Sequence, residues 1–214
     1  MEPLKVKASR IRNLTDARYF AARGVEWMGF CLDAARPEAV RPETVREIAE
    51  WLDGVKITGE FGAQTRERIE SLFAEAALHA LQLDGEHRAE DWSDWWKGPL
   101  IRGVPIDAET TPRTLEARLQ EWQETALFFV LDFQLPASRL PALPPALRDA
   151  LRELGAEFPL CWQIDADARD WKRIADTYRP WGISLLGGEE EKTGYKSFDE
   201  LGEILDFLET DLLL

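Results

Sequence analysis

Cysteine and histidine are almost missing from this sequence, with two of each in 214 residues. Cys31 and Cys161 sit in the apolar runs 27–32 and 159–164, where they read as small buried hydrophobes, and two cysteines make no disulfide framework. No Cys/His cluster has zinc spacing, and Asp165, Asp167 and Asp170 lack the full pattern of a calcium loop, so no metal is expected. Positive charge is also scarce. Lys plus Arg is 26 against 40 Asp plus Glu, a formal charge of −14, which repels phosphate backbones and excludes a general nucleic-acid binder. No run reaches the roughly 18 apolar residues of a membrane span. Met1–Arg10 lacks the apolar stretch of a signal peptide, so a reducing cytoplasm is the expected location. What is abundant is apolar surface, 45% of residues, enough to pack a core.

Short apolar runs alternate with longer amphipathic ones. The runs cover 4–8, 26–32, 55–61, 80–83, 99–104, 127–132, 159–164 and 181–186, each of strand length. Helical patterns lie between them. Asn13 or Thr15 starts the first, with a side chain able to cap the free amides. Pro42 and Glu43 open the second, which runs through Leu52 and stops at Gly54. Further patterns cover 65–78, 114–125, 143–154 with a stop at Gly155, 170–178, and 198–208. Between strands four and five, Trp92 with Trp95 or Trp96 marks one face of a helix packed on the body of the protein.

Eight strand–helix units in 214 residues leave roughly 27 residues per unit, enough for a minimal (β/α)8 barrel. A doubly wound open sheet is the competing fold. It normally has fewer strands and a glycine-rich first turn, whereas here that turn is Ala8-Ser9-Arg10-Ile11. No linker or low-complexity tract divides the chain, so residues 1–214 are expected to form a single barrel domain. The proline-rich stretch 135–145 reads as a rigid loop on the active face.

The order and spacing of several motifs resemble the phosphoribosylanthranilate isomerase family of tryptophan biosynthesis. These are Asn13-Leu14-Thr15-Asp16-Ala17 after strand one, Gly29-Phe30 in strand two, Pro42-Glu43 opening helix two, and Leu81-Gln82-Leu83 with Gly85 at strand four. Gly194 and Lys196 follow strand eight where the family has Pro-Gly-x-Lys-Asp. The resemblance implies a cofactor-free Amadori rearrangement. A general acid opens the ribose ring, a general base removes the C2 proton, backbone amides hold the phosphate, and a cation holds the anthranilate carboxylate.

Carried onto this chain residue by residue, the resemblance makes Asp132, at the end of strand six, the acid. A carboxyl in an apolar barrel mouth is expected to be partly desolvated and partly protonated. The family's base is the cysteine of a Lys-x-Cys-Gly stretch. Here that stretch is Lys7-Ala8-Ser9-Arg10, so Ser9 replaces the base and Arg10 the glycine. A serine hydroxyl supplies essentially no alkoxide unless another base activates it. Only His79 and His87 exist to help; the first reads as structural and the second as solvated. Glu38 falls where the family has its carboxylate-binding arginine, leaving Arg36 or Arg41 as the nearest cations. After strand six, Phe133–Ser138 contains no glycine. After strand seven come Asp165 and Asp167. Only Gly187 and Gly188, after strand eight, keep a glycine turn, and Glu189–Glu191 follow it.

The catalytic candidates are therefore Asp132 and Ser9, and the ligand-binding candidates Lys7, Arg10, Arg36, Gly187 and Gly188. With its base, cation and phosphate cup altered, the chain is expected to lack efficient isomerase activity. It would act instead through protein contacts or a small ligand at the barrel mouth. The alternative is a working isomerase with substituted residues, and a third reading is another enzyme using Asp132, Ser9, Lys7 and Glu60. The three tryptophans at 92–96 are core or a partner patch, and oligomeric state is left open.

Overall fold

The structure is a computed structural model that describes residues 4–187 and 198–211. Eight parallel strands close into a barrel in sequence order, β1 pairing with both β2 and β8. The strands are β1 Lys5–Ser9, β2 Trp27–Cys31, β3 Lys56–Phe61, β4 Ala80–Leu83, β5 Leu100–Ile106, β6 Phe128–Phe133, β7 Leu160–Gln163 and β8 Gly182–Leu186. The helices are α1 Leu14–Ala22, α2 Pro42–Ala49, α3 Arg66–Glu75, α4 Glu90–Ser93, α5 Pro112–Trp122, α6 Pro145–Glu157, α7 Ala168–Tyr178 and α8 Asp199–Asp211. The open-sheet alternative is excluded.

Local chemistry accounts for most boundaries. Asn13 and Thr65 cap α1 and α3 by accepting from the amides three residues on, and Thr111 forms a capping box with Thr114 at the start of α5,. Pro42, Pro112 and Pro145 occupy first turns, where a missing N–H leaves nothing unpaired,. One expected stop fails: α6 passes through Gly155 to Glu157. Leu151 and Leu154 are buried on that face, and their packing outweighs glycine's modest helix penalty,. The tryptophan-rich helix is also shorter than expected, ending at Ser93. Trp92 is buried, Trp96 meets Phe73 edge-on at 4.8 Å, and the Arg66 guanidinium covers Trp95 at 4.3 Å. The cluster is therefore packed against α3.

Inside the barrel the lower layers are apolar, with Trp27, Ala80, Ile101, Phe128, Val130 and Cys161 forming one cluster. The upper layer is polar. Lys7, Ser9, Glu60, Gln82, Gln163 and Ser184 are all buried; Ser9, Glu60, Gln82 and Gln163 lie in the C-terminal halves of their strands, and Lys7 and Ser184 at the midpoints of theirs. Alternation along each strand aims them inward, so the core ends in a polar plug beneath the loops where barrel enzymes do their chemistry.

Candidate functional site

Ser9 is the last residue of β1 and Asp132 the penultimate residue of β6, so both stand at the C-terminal mouth. Below the mouth runs a directed chain of hydrogen bonds. Lys7 Nζ donates to Ser9 Oγ at 2.5 Å and to Glu60 Oε1 at 2.6 Å. Ser9 Oγ lies 2.7 Å from Ser184 Oγ, and Ser184 Oγ donates to Gln163 Oε1 at 2.9 Å. A hydroxyl carries one proton. Ser184 spends its proton on Gln163, so Ser9 donates to Ser184 and accepts from the Lys7 ammonium. Ser9 is thus held as a link in the chain.

Lys7 and Glu60 are an ion pair with side chains only 1% and 2% exposed. Gly29 makes room for it. A Cβ at Gly29 would stand 2.0 Å from Glu60 Oε1 and 2.6 Å from Lys7 Nζ. Lys7 therefore lies beneath the mouth, spoken for by Ser9 and Glu60. The other Glu60 oxygen accepts from the backbone N–H of Arg10 at 3.2 Å.

Arg10 has φ +54°, a left-handed backbone that a residue with a Cβ adopts only under strain. From there its guanidinium crosses the mouth. Nη2 bonds Asp132 Oδ2 at 2.9 Å and Nε lies 3.5 Å from Glu38 Oε1. This changes the expectation for Asp132. Its carboxyl does not stand alone in an apolar mouth; it accepts from a cation and is 29% exposed.

Arg36 is likewise engaged. Nη1 bonds Asp84 Oδ2 at 3.1 Å and Nε lies 3.7 Å from Asp33 Oδ2. Asp84 also accepts from Gln82 Nε2 at 2.7 Å. Burial, with the Glu60 carboxylate adding to it, pushes the Asp84 carboxyl above the usual range despite Gln82 and Arg36. The remaining Gln82 oxygen is buried without a donor among the described residues.

Neither cysteine is a ready base. Burial chiefly pushes Cys31 up to about 11 and Cys161 up to about 12, so neither holds useful thiolate at neutral pH. His87, expected in solvent, is half-buried, with Nε2 2.6 Å from the Gly62 carbonyl and its ring edge-on to Trp92. His79 is structural, as expected: its Nδ1 accepts from the Ile57 amide at 3.0 Å.

The amides expected to hold a phosphate are mostly occupied. Gly187 N donates to the Ser9 carbonyl at 3.2 Å, and a Cβ on Gly187 would meet Asp16 Oδ2 at 2.9 Å. After β6, Gln134, Ala137 and Arg139 donate their amides to Ile106, Asp165 and Pro136. The Asp167 side chain caps α7 by accepting from Asp170 N, placing a carboxylate where a helix terminus favours an anion,. Gly188, Glu189–Glu191, Gly194 and Lys196 lie outside the described residues.

No family model matches the chain. Curated relatives do. The N-(5'-phosphoribosyl)anthranilate isomerase of Gloeothece citriformis is 26% identical over 215 residues, covering 96% of this chain and 94% of that protein. The enzyme of the same name from Chlorobium phaeobacteroides is 23% identical over 215 residues, covering 92% and 94%. Among solved structures, the phosphoribosyl anthranilate isomerase of Thermus thermophilus superposes with a TM-score of 0.76 at 28% identity, covering 97% of this chain and 99% of that one.

The chain is a relative of the phosphoribosylanthranilate isomerases. For this isomerase relative, the polar residues that sequence reasoning underused are Ser184, Gln163, Gln82 and Asp84. Their signal was present. Each is a polar residue in or just after a strand whose neighbours are apolar, at the end where the barrel opens.

Proposed function

We propose that this chain is a single-domain, cytoplasmic, phosphoribosylanthranilate isomerase-like barrel without efficient isomerase activity. In this reading it acts by holding a small ligand or a protein partner on the face that carries the mouth. The observation that carries it is the Arg10–Asp132 contact at 2.9 Å. The carboxyl that the family resemblance makes the general acid is bound by a cation rising from the position of the family's glycine. The Ser9 hydroxyl beside it in the chain is committed to Lys7 and Ser184.

Two further features support the reading. An Amadori rearrangement requires a base at C2 of the sugar, and burial holds both thiols, Cys31 and Cys161, protonated,. The substrate would also bring a phosphate and a carboxylate to a mouth where Glu38 and Asp132 already occupy the Arg10 guanidinium and the Asp167 carboxylate occupies the start of α7,. Differential binding of the transition state needs groups aimed at developing charge, and these positions aim carboxylates instead.

The test is complementation of a tryptophan auxotroph lacking the isomerase, together with loss of the fluorescent substrate by purified protein. No growth and no turnover above background are expected. Turnover at an ordinary enzymatic rate, abolished by Asp132→Asn, would establish a working isomerase and overturn the proposal.

A further inference from the structure

Next to the mouth, between the fifth and sixth units, the surface holds a groove of about 540 Å³. It is lined by the turn after β5, the segment after β6, and the first turn of α6. None of its lining residues belongs to the Lys7–Ser9–Ser184–Gln163 chain. Its volume falls within the roughly 300–1,000 Å³ range of small-molecule sites.

The groove is built from the proline-rich stretch that follows β6. Residues 137–142 form a 3-10 helix with Pro141 inside it, and Pro144 and Pro145 lead into α6. The start of the stretch is pinned to its neighbours on both sides: Gln134 N donates to Ile106 O at 3.0 Å and Ala137 N to Asp165 O at 2.8 Å. Prolines and anchored amides make a wall that loses little entropy on binding.

One part of this wall is apolar, supplied by Leu135, Leu143 and Leu147. Two opposite charges lie on it. Asp107 uses Oδ1 to accept from Thr110 Oγ1 at 2.8 Å and from Glu109 N at 3.0 Å. Its Oδ2 has no protein donor among the described residues. Arg139 is exposed, and among the described residues its guanidinium forms neither an ion pair nor a hydrogen bond. The two charges do not pair with each other. In a chain where most mouth cations are tied to carboxylates, an unpaired Arg and a half-used Asp on one apolar groove are complementary to a ligand that carries both charges.

We propose that this groove binds a free α-amino acid with an apolar or aromatic side chain. Its ammonium meets Asp107 Oδ2, its carboxylate meets the Arg139 guanidinium, and its side chain lies on Leu135, Leu143 and Leu147. A simple anion would find one cation in a strongly acidic molecule. A simple amine would find many equivalent carboxylates elsewhere. The zwitterion is neutral overall and uses both charges at once.

The test is calorimetry with amide NMR on the full chain, using L-phenylalanine, 3-phenylpropionate and 2-phenylethylamine as probes. L-Phenylalanine is expected to bind saturably and to shift the amides of Thr110, Ala142 and Leu147. Each single-charge analogue is expected to bind about tenfold more weakly. Arg139→Ala should bring L-phenylalanine down to the level of 2-phenylethylamine and leave the amine unaffected. Arg139→Glu, at an exposed site, should invert the preference toward the amine. The proposal is overturned by any of three results: no saturable L-phenylalanine binding below about 10 mM, equal binding of all three probes, or shifts centred on Ser9 and Gln163. It is equally overturned if Arg139→Glu leaves the preference unchanged.

Discussion

Arg10 Nη2 stands 2.9 Å from Asp132 Oδ2, bridging the barrel mouth from the end of β1 to the end of β6. The bridge starts from a left-handed residue with φ +54°. The backbone thus keeps a glycine-like conformation while carrying a long cation. Removing the side chain relieves roughly 1 kcal/mol of strain only if the replacement is glycine, and the part-exposed ion pair it forfeits is worth about 0–1 kcal/mol. Arg10→Gly should therefore stay within about 1 kcal/mol of the wild type. Arg10→Ala should fall about 1 kcal/mol below the glycine variant, since it loses the pair and keeps the strain. Urea unfolding of the three proteins checks this, and an alanine variant as stable as the glycine one would contradict it.

Restoring the family's groups one at a time should fail for the same reason. Ser9→Cys alone puts a thiol beside the Lys7 ammonium but leaves Arg10 across Asp132 and no anchored sugar. A good base gains little on a substrate that is not held. Adding Arg10→Gly and Glu38→Arg frees the acid and supplies a carboxylate-binding cation. The triple variant should exceed the product of the single effects by about tenfold or more, because the three changes act on one bound substrate. Efficient turnover should still require glycine-rich loops after β6 and β7. The rate of fluorescent substrate loss reads each step, and strictly multiplicative effects would defeat the coupling.

The barrel was legible because its signals are local and repeated: eight apolar runs, capped helices, and proline at first turns. The site was legible only in part. That Asp132 and Ser9 share the mouth follows from strand order. That Arg10 would spend itself on Asp132 does not, because pairing across 122 residues is set by barrel closure and by a backbone angle that sequence spacing does not reveal. Lys7 illustrates the same limit. Read as ligand-binding, it lies beneath the mouth, because Gly29 on the neighbouring strand leaves the space that lets it meet Glu60. Gly187 kept its residue type, but its amide already donates to Ser9 O, which only the fold determines.

The Lys7–Glu60 pair predicts strong non-additivity. Both side chains are almost wholly buried, so removing one partner leaves a charge without its counterpart. Lys7→Met or Glu60→Gln alone should destabilise by about 3–5 kcal/mol. The double variant Lys7→Met with Glu60→Gln should lose clearly less than the sum, since no orphaned charge remains. Chemical denaturation of the four proteins closes the cycle. Simple additivity would mean that solvent reaches the pair.

The last prediction turns on Asp84, where two influences oppose each other. Burial and the Glu60 carboxylate push its pKa up, while Gln82 and Arg36 pull it down, and the upward push wins. An unfolded aspartate titrates near pKa 3.9. A folded value above that means the folded chain holds its proton more tightly than the unfolded chain. The slope of unfolding free energy with pH follows protons bound unfolded minus protons bound folded, and is therefore negative across this window. The contribution is full below the unfolded pKa and is lost as pH rises through the folded one. Asp84→Asn removes that titration and keeps a side chain of similar size beside Arg36. The stability of wild type minus that of Asp84→Asn should fall as pH rises above about 4 and then level off. Urea unfolding of both proteins across the acid range measures the difference. A difference that climbs with pH would mean that Arg36 governs the carboxyl, with burial and Glu60 secondary.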